Sequence, residues 1–371
     1  MKASFKAFLE KQNIKPSAKL YFIDAMSAMA MGLFASLLIG TILGVFGKIF
    51  PELTFFSDIS AYGIAVSGAA MAVAIANALK APPLVMYSML IVGYAAYALG
   101  GAGGPLAVFL LSIPTIEIGK LVSKTTKVDI LVTPAVTVLA GCGLSAVLAP
   151  VIKVLAGYVT SFIDFAMTQQ PLVMGILVSV VIGVALTLPI SSAAICAALN
   201  LSGAVVLNAA GDVVSGGGEG LALAGGAAVA GCCAQMIGFA VMSFRDNKWG
   251  GLVSVGVGTS MLLMPNIIRN PRIWIAPTLV SAITGPLATC VFGLKMYGAA
   301  INSGMGTCGF LGPIGIILGW FGGEYPTAVG AMDWIGLALI CFIIPAVGCA
   351  LLDLLFRRIG WIKDGDLTLG G

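Results

Sequence analysis

Two five-residue phrases carry the residue types best suited to hold a ligand. They are Gly256-Val257-Gly258-Thr259-Ser260 and Gly304-Met305-Gly306-Thr307-Cys308. Each has the form G-x-G-T followed by a small residue, and each lies near a proline, Pro265 or Pro313. Glycine-rich turns expose backbone N–H groups to ligand oxygens, and Thr and Ser hydroxyls both donate and accept. Uncharged polar side chains surround the phrases in otherwise apolar sequence: Ser191 and Ser192 after Pro189, Gln235, Asn266, Asn270 and Asn302. Amides and hydroxyls without a strong charge suit a neutral polyhydroxyl solute, a sugar or polyol, better than an ion. A plainer reading stands beside this one. Isolated glycines let helices pack closely, the two serines repair the kink at Pro189, and buried amides bridge neighbouring helices.

Two carboxylates join the candidates. Glu117 sits in Ile113-Pro114-Thr115-Ile116-Glu117-Ile118-Gly119, and Glu219 closes the run Gly216-Gly217-Gly218. An acid within a membrane segment is a functional candidate, as a hydrogen-bonder to substrate or a proton carrier. Against that, Glu117 has Lys120 at i+3, and Glu219 is placed to begin a helix whose macrodipole an acid complements. Asp24, Asp58, Asp129 and Asp333 read as interfacial anchors. The chain has no histidine, and its eight cysteines, almost all in apolar runs, form no C-x-x-C pair. No metal site, cofactor or catalytic group is expected from these residues.

These candidates need an apolar scaffold to position them. Of the 371 residues, 59% are hydrophobic and 9% charged, against roughly 25% charged in an average soluble domain. No Asp, Glu, Lys or Arg occurs from Ala81 to Ile116, from Phe165 to Gly211 or from Met296 to Gly323. One bilayer crossing needs about 20 apolar residues. A soluble enzyme and a nucleic-acid binder are excluded; the chain reads as an all-α polytopic membrane protein. About ten crossings are expected, near 21–47, 58–79, 82–100, 105–122, 130–157, 171–199, 219–243, 249–265, 273–297 and 327–356. Residues 1–20 read as a cytoplasmic interfacial segment, with Phe5, Phe8 and Leu9 toward lipid. Residues 21–357 form one transmembrane domain, and 358–371 a cytoplasmic tail. Lys2, Lys6, Lys11, Lys15 and Lys19, with Arg357, Arg358 and Lys363, place both termini in the cytoplasm by the positive-inside rule. Lys120, Lys124 and Lys127 obey the same rule after four crossings. Arg245 and Lys248 break it. Either the segment near 249–265 is re-entrant, or the rule fails locally.

The stretches 200–220 and 302–320 are too rich in glycine to be lipid-exposed helix. Glycine costs roughly 1 kcal/mol per helical residue relative to alanine. Residues near 212–220 and 302–313 are therefore expected to be non-helical and enclosed by protein, as re-entrant Gly-rich loops.

Several runs together resemble a known family. They are Leu188-Pro189-Ile190-Ser191-Ser192-Ala193-Ala194, Gly231-Cys232-Cys233-Ala234-Gln235-Met236-Ile237-Gly238-Phe239, Gly258-Thr259-Ser260-Met261-Leu262, Pro265-Asn266-Ile267, Asn270-Pro271 and Gly304-Met305-Gly306-Thr307. Their order resembles the second EIIC-type family of the phosphoenolpyruvate-dependent sugar phosphotransferase system, which includes perfringolysin-regulator-like membrane proteins. The resemblance implies a homodimeric permease of the bacterial inner membrane, with its solute site near re-entrant loops of the second half. It also implies separate IIA and IIB phosphocarrier partners, because this chain offers no phosphorylatable histidine. At the place comparable with the glutamate loop of glucose-type IIC proteins, this chain reads Gly304-Met305-Gly306-Thr307, so Glu117 or Glu219 would have to stand in. Two other functions stay open: a secondary transporter coupled to protons through Glu117 or Glu219, and a membrane-embedded regulator that binds a ligand without moving it.

Overall fold

The computed structural model describes residues 12–14, 17–40, 43–44, 47, 52–167, 169–203, 206–207, 213–215, 218–321 and 328–369. The expectations for Phe5, Phe8 and Leu9 lie outside them. The chain is an all-α polytopic membrane protein. Among the described residues, seven helical segments are long and apolar enough to cross a bilayer: Lys19–Leu37, Pro83–Gly100, Gly104–Val122, Asp129–Val159, Glu219–Met242, Pro271–Val291 and Ala331–Arg358. Thr54–Ala65 and Ser67–Ala78 make an eighth span if taken as one, although they are bent by 52°. The chain divides into two compact units, Met1–Ala156 and Gly157–Gly371.

In the first unit, bare backbone sets the helix spacing. A Cβ on Gly93 would run into the Gly68 carbonyl, and one on Gly68 into the Gly93 carbonyl. Helices Ser67–Ala78 and Pro83–Gly100 therefore touch main chain to main chain, the close approach that small residues permit in lipid. Gln12 Nε2 donates to the Ser123 carbonyl at 3.1 Å, and Lys120 Nζ to the Asn13 carbonyl at 3.3 Å. Residues 12–13 and the Lys120–Lys127 cluster thus share one end of this unit, as the charge pattern predicts. Asp129 anchors the next helix by accepting from Lys124 N and Thr133 Oγ1, both at 2.6 Å.

The second unit is built around Glu219–Met242, whose most apolar window is 78% buried. This central helix is made of Gly, Ala and Cys because two others press against its backbone. A Cβ on Gly231 would overlap the Ser179 carbonyl, and Ser281 Oγ donates to the Gly231 carbonyl at 3.3 Å. Ser179 Oγ closes the contact by donating to the Ser281 carbonyl at 2.8 Å. Helices Pro171–Thr187, Glu219–Met242 and Ile275–Pro286 are stitched together by these serines.

Three expected elements come out differently. The crossing at 171–199 stops at Thr187, because Pro189 has no amide to continue it; a short helix, Ser192–Ala198, follows. The crossing at 249–265 is absent. In its place run Phe244–Val253, a π turn Ser254–Gly258, a 3-10 turn Ser260–Leu263 and a short helix Met264–Arg269. Part of the 200–220 stretch pairs as a small antiparallel ladder, Val206–Leu207 with Val213–Ser215. Gly218–Gly220 are exposed rather than enclosed, and the helix already begins at Glu219.

Residues 302–313 match the expectation better. One helical turn, Ala300–Ser303, gives way to turns at 304–307 and a 3-10 turn Cys308–Phe310. Helix Leu311–Phe321 then takes Gly312 and Pro313 into its first turn. All of 302–309 is buried.

Candidate functional site

The two G-x-G-T phrases meet. Thr307 Oγ1 donates to the Gly256 carbonyl at 2.6 Å, and both residues are buried. Gly306 holds φ +53°, and a Cβ there would lie 2.7 Å from the Cys232 carbonyl carbon, so the second phrase lies on the central helix. Only glycine combines that backbone with that approach. Ser192 Oγ reaches the same loop, donating to the Gly304 carbonyl at 2.7 Å.

Next to this junction lies a network of uncharged polar groups, with Gln235, Thr187 and Ser260 buried and Trp274 and Thr278 half-buried. Gln235, 0% exposed on the central helix, is its hub. Its Oε1 accepts from Trp274 Nε1 at 3.0 Å and from Thr187 Oγ1 at 3.4 Å. Its Nε2 donates to Thr278 Oγ1 at 3.3 Å. Thr187 Oγ1 also bonds Ser260 Oγ at 2.8 Å, linking the network to the first phrase. Three element ends converge here, at Thr187, Ser260 and Trp274. Thr187 ends its helix before Pro189, and Ser260 starts a 3-10 turn that Thr259 caps by accepting from Met261 N at 3.2 Å. Nothing in the sequence marks Thr187, Trp274 and Thr278 as site residues. Thr and Trp in apolar helices are common, and only the fold turns these three toward one amide.

The remaining candidates are placed as follows. Ser191 caps Ser192–Ala198 by accepting from Ala194 N at 3.2 Å, which is the repair role. Asn302 is buried against helix Leu311–Phe321, where a Cβ on Gly315 would meet its side chain. Asn266 and Asn270 are turned away from Gln235 to the C-terminal residues. Asn266 Nδ2 donates to the carbonyls of Asp366 and Thr368 at 2.8 and 3.0 Å. Asn270 Nδ2 donates to the Trp361 carbonyl and to Asp366 Oδ2, both at 2.9 Å.

The two acids belong to different settings. Glu219 is 69% exposed at the start of the central helix and pairs with Lys295 at 2.6 Å. Glu117 belongs to the first unit, where its Oε1 pairs at 3.2 Å with Lys120, whose side chain is 0% exposed. Its Oε2 is buried and makes no direct hydrogen bond among the described residues, although the Tyr21 hydroxyl faces the same carboxylate. No group of three or more His, Cys, Asp or Glu residues suited to a metal ion occurs among the described residues.

The family profile described as "Phosphotransferase system, EIIC" matches residues 23–369. This chain belongs to the phosphotransferase-system EIIC family. The EIIC match spans nearly every described residue, including both phrases and the network around Gln235. Neither a curated relative nor a solved structure matches the chain significantly. As an EIIC protein it is a membrane transport component of a phosphotransferase system, a family whose substrates are sugars and whose members work with phosphocarrier partners.

Proposed function

We propose that this EIIC chain carries a small neutral sugar or polyol across the bacterial inner membrane by alternating access, as a homodimer with both termini cytoplasmic. Separate IIA and IIB proteins supply the phosphoryl group. The observation that carries the reading is the uncharged network in which buried Gln235, Thr187 and Ser260 join half-buried Trp274 and Thr278 where helices break. Broken helices at membrane depth are tolerated where protein or a watery cavity encloses them, and such sites bind solutes. Hydroxyls and amides can exchange their mutual bonds for bonds to sugar hydroxyls at little net cost. Purified protein titrated with neutral hexoses and hexitols tests this, with Trp274 fluorescence as the readout. A saturable change is expected for one class. Silence from folded protein across the panel would remove the proposal.

A second reading has one observation in its favour. Glu117, whose buried Oε2 makes no direct hydrogen bond among the described residues and whose carboxylate faces the Tyr21 hydroxyl, suits a group that takes up a proton during the cycle. Transport that persists without phosphocarriers and acidifies the vesicle lumen would favour it.

A further inference from the structure

Asn247 and Asn266 stand at the two feet of the segment 247–266, and both grip one stretch of the C-terminal residues. Asn247 Oδ1 accepts from Leu369 N at 2.8 Å, while its Nδ2 donates to the Leu367 carbonyl at 2.7 Å. Asn266 takes the carbonyls of the alternate residues, Asp366 and Thr368. Residues 366–369 therefore lie between the feet, following turns in which Asp366 N donates to the Lys363 carbonyl and Thr368 N to the Gly365 carbonyl, and two amides hold their backbone. The segment leaves and returns at one end of the unit, with Gly256 and Ser260 at its tip; it is a hairpin. This geometry also removes the conflict at Arg245 and Lys248, which lie at the same end as Arg269, Arg272 and Arg358.

Arg357 fixes the base of this arrangement. Its Nε donates to Asp353 at 2.9 and 3.1 Å, and its Nη1 to Asp364 Oδ1 at 2.7 Å. Nη2 reaches the Met242 carbonyl at 3.5 Å and lies 3.8 Å from Asp246. Asp246 in turn accepts from the tail amides of Gly365 and Leu367 at 3.2 and 3.3 Å. Leu367 and Ile362 are buried beneath, and Arg272 stacks over Trp361 at 5.8 Å. One planar guanidinium thus ties the last helix, the end of the central helix and the tail, a geometry a point charge cannot reproduce.

We infer that Arg357 is a positioning residue. Through residues 359–369 it sets the hairpin 247–266, and so the placement of Gly256 and Ser260 against Thr307 and Thr187. The consequence for solute handling rests on the function proposed above; the placement itself does not. The tail is a clamp on the moving part of the site, and loosening it frees the tip.

Hydrogen–deuterium exchange on the purified full chain tests this without any solute. In Arg357→Gln, exchange should rise several-fold in 359–369 and in 247–266 together, including the tip at 254–262. Helix Pro83–Gly100 should keep its wild-type protection. Arg357→Lys should recover part of the protection in both segments. Asn266→Ala, which removes only side-chain bonds to the tail, should loosen the same two segments and serves if Arg357→Gln does not fold. A looser tail over an unaltered hairpin overturns the assignment. So does no change in either segment, or equal loosening of Pro83–Gly100. Because no sugar is present, failure here leaves the solute reading standing, and a chain that binds no sugar leaves the clamp standing.

Discussion

Thr307 Oγ1 donates to the Gly256 carbonyl at 2.6 Å, so each G-x-G-T phrase is the other's partner before any ligand arrives. Thr307→Val keeps the side-chain shape and removes the donor, leaving a buried carbonyl unpaired. That should cost about 1–3 kcal/mol, read as a lower unfolding midpoint in detergent. Thr307→Ser should hold close to wild type. A valine variant of unchanged stability would show that the contact contributes nothing.

Glycines in this chain should separate sharply by position. Gly306→Ala combines a left-handed backbone with a Cβ 2.7 Å from the central helix, and Gly304→Ala would place its Cβ 2.5 Å from the Ser192 carbonyl. Each should destabilise by several kcal/mol, on the order of an overpacked core or more. A Cβ on Gly143 or Gly157 would meet nothing within 4 Å, and both lie in helix Asp129–Met167. Alanine there should stabilise by roughly 0.5–1 kcal/mol. Equal effects at the two kinds of site, in matched melts, would refute the distinction.

The membrane class is legible in the sequence because charge depletion over whole stretches has no soluble explanation. The broken segments are legible too, since Pro189 and the 304–313 glycines forbid a plain helix by local chemistry. The expected crossing at 249–265 fails because its apolar content is that of a span, while its course is set by Asn247 and Asn266 holding a tail far along the chain. Sequence spacing carries no trace of that. Asn266 and Asn270 do stand out as amides that need partners, but their partners are groups of the tail, mostly backbone carbonyls. Gln235 stands out for the same reason. Its neighbours Trp274 and Thr278 do not, because neither is unusual until the helices are packed.

Cysteines introduced singly at Arg245, Arg269 and Lys363 should all report the same side of the membrane. All three positions are exposed at one end of the second unit. Cys290, the exposed native thiol among the described residues, is first changed to Ser. An impermeant maleimide should label none of the three in intact cells and all of them after permeabilisation, since basic residues favour the cytoplasmic face. Labelling Arg245→Cys from outside while Arg269→Cys stays protected would restore a full crossing at 249–265 and end the hairpin.

Glu117 and Lys120 should behave as a neutral pair. Lys120 has no exposed side-chain surface and bonds Glu117 and the Asn13 carbonyl. Glu117→Gln strips a buried cation of its counter-charge, which costs about 3–5 kcal/mol in a fully buried setting. Glu117→Gln with Lys120→Met removes both charges and should regain most of that loss. If the double variant transports normally, Glu117 is structural and proton coupling through it falls. If it is stable yet inactive, the buried Oε2 has a role in the cycle.

Gln235 gives the sharpest division between a solute site and a helix bridge. Its amide accepts from Trp274 and Thr187 and donates to Thr278, so Gln235→Ala takes a bond from three elements and leaves Trp274 Nε1 without this acceptor, while Thr187 keeps Ser260 and Thr278 keeps the Trp274 carbonyl. On the bridging account the variant loses stability, about 1–3 kcal/mol for each buried group left unpaired, and the folded fraction binds sugar as before. On the solute account a bound hydroxyl takes over some of these partners. Affinity then falls by roughly 0.5–1.5 kcal/mol for each bond lost to a neutral group, or about two- to ten-fold. Saturating sugar should also raise the melting temperature of the wild type more than that of the variant, because the ligand binds only the folded state. Ser260→Ala extends the test: it removes a hydroxyl bonded to Thr187 and leaves Gln235 its own partners. Matched titrations and melts on wild type, Gln235→Ala and Ser260→Ala decide the matter. Unaltered affinity in both variants, with stability reduced, would assign this network to holding the broken helices together.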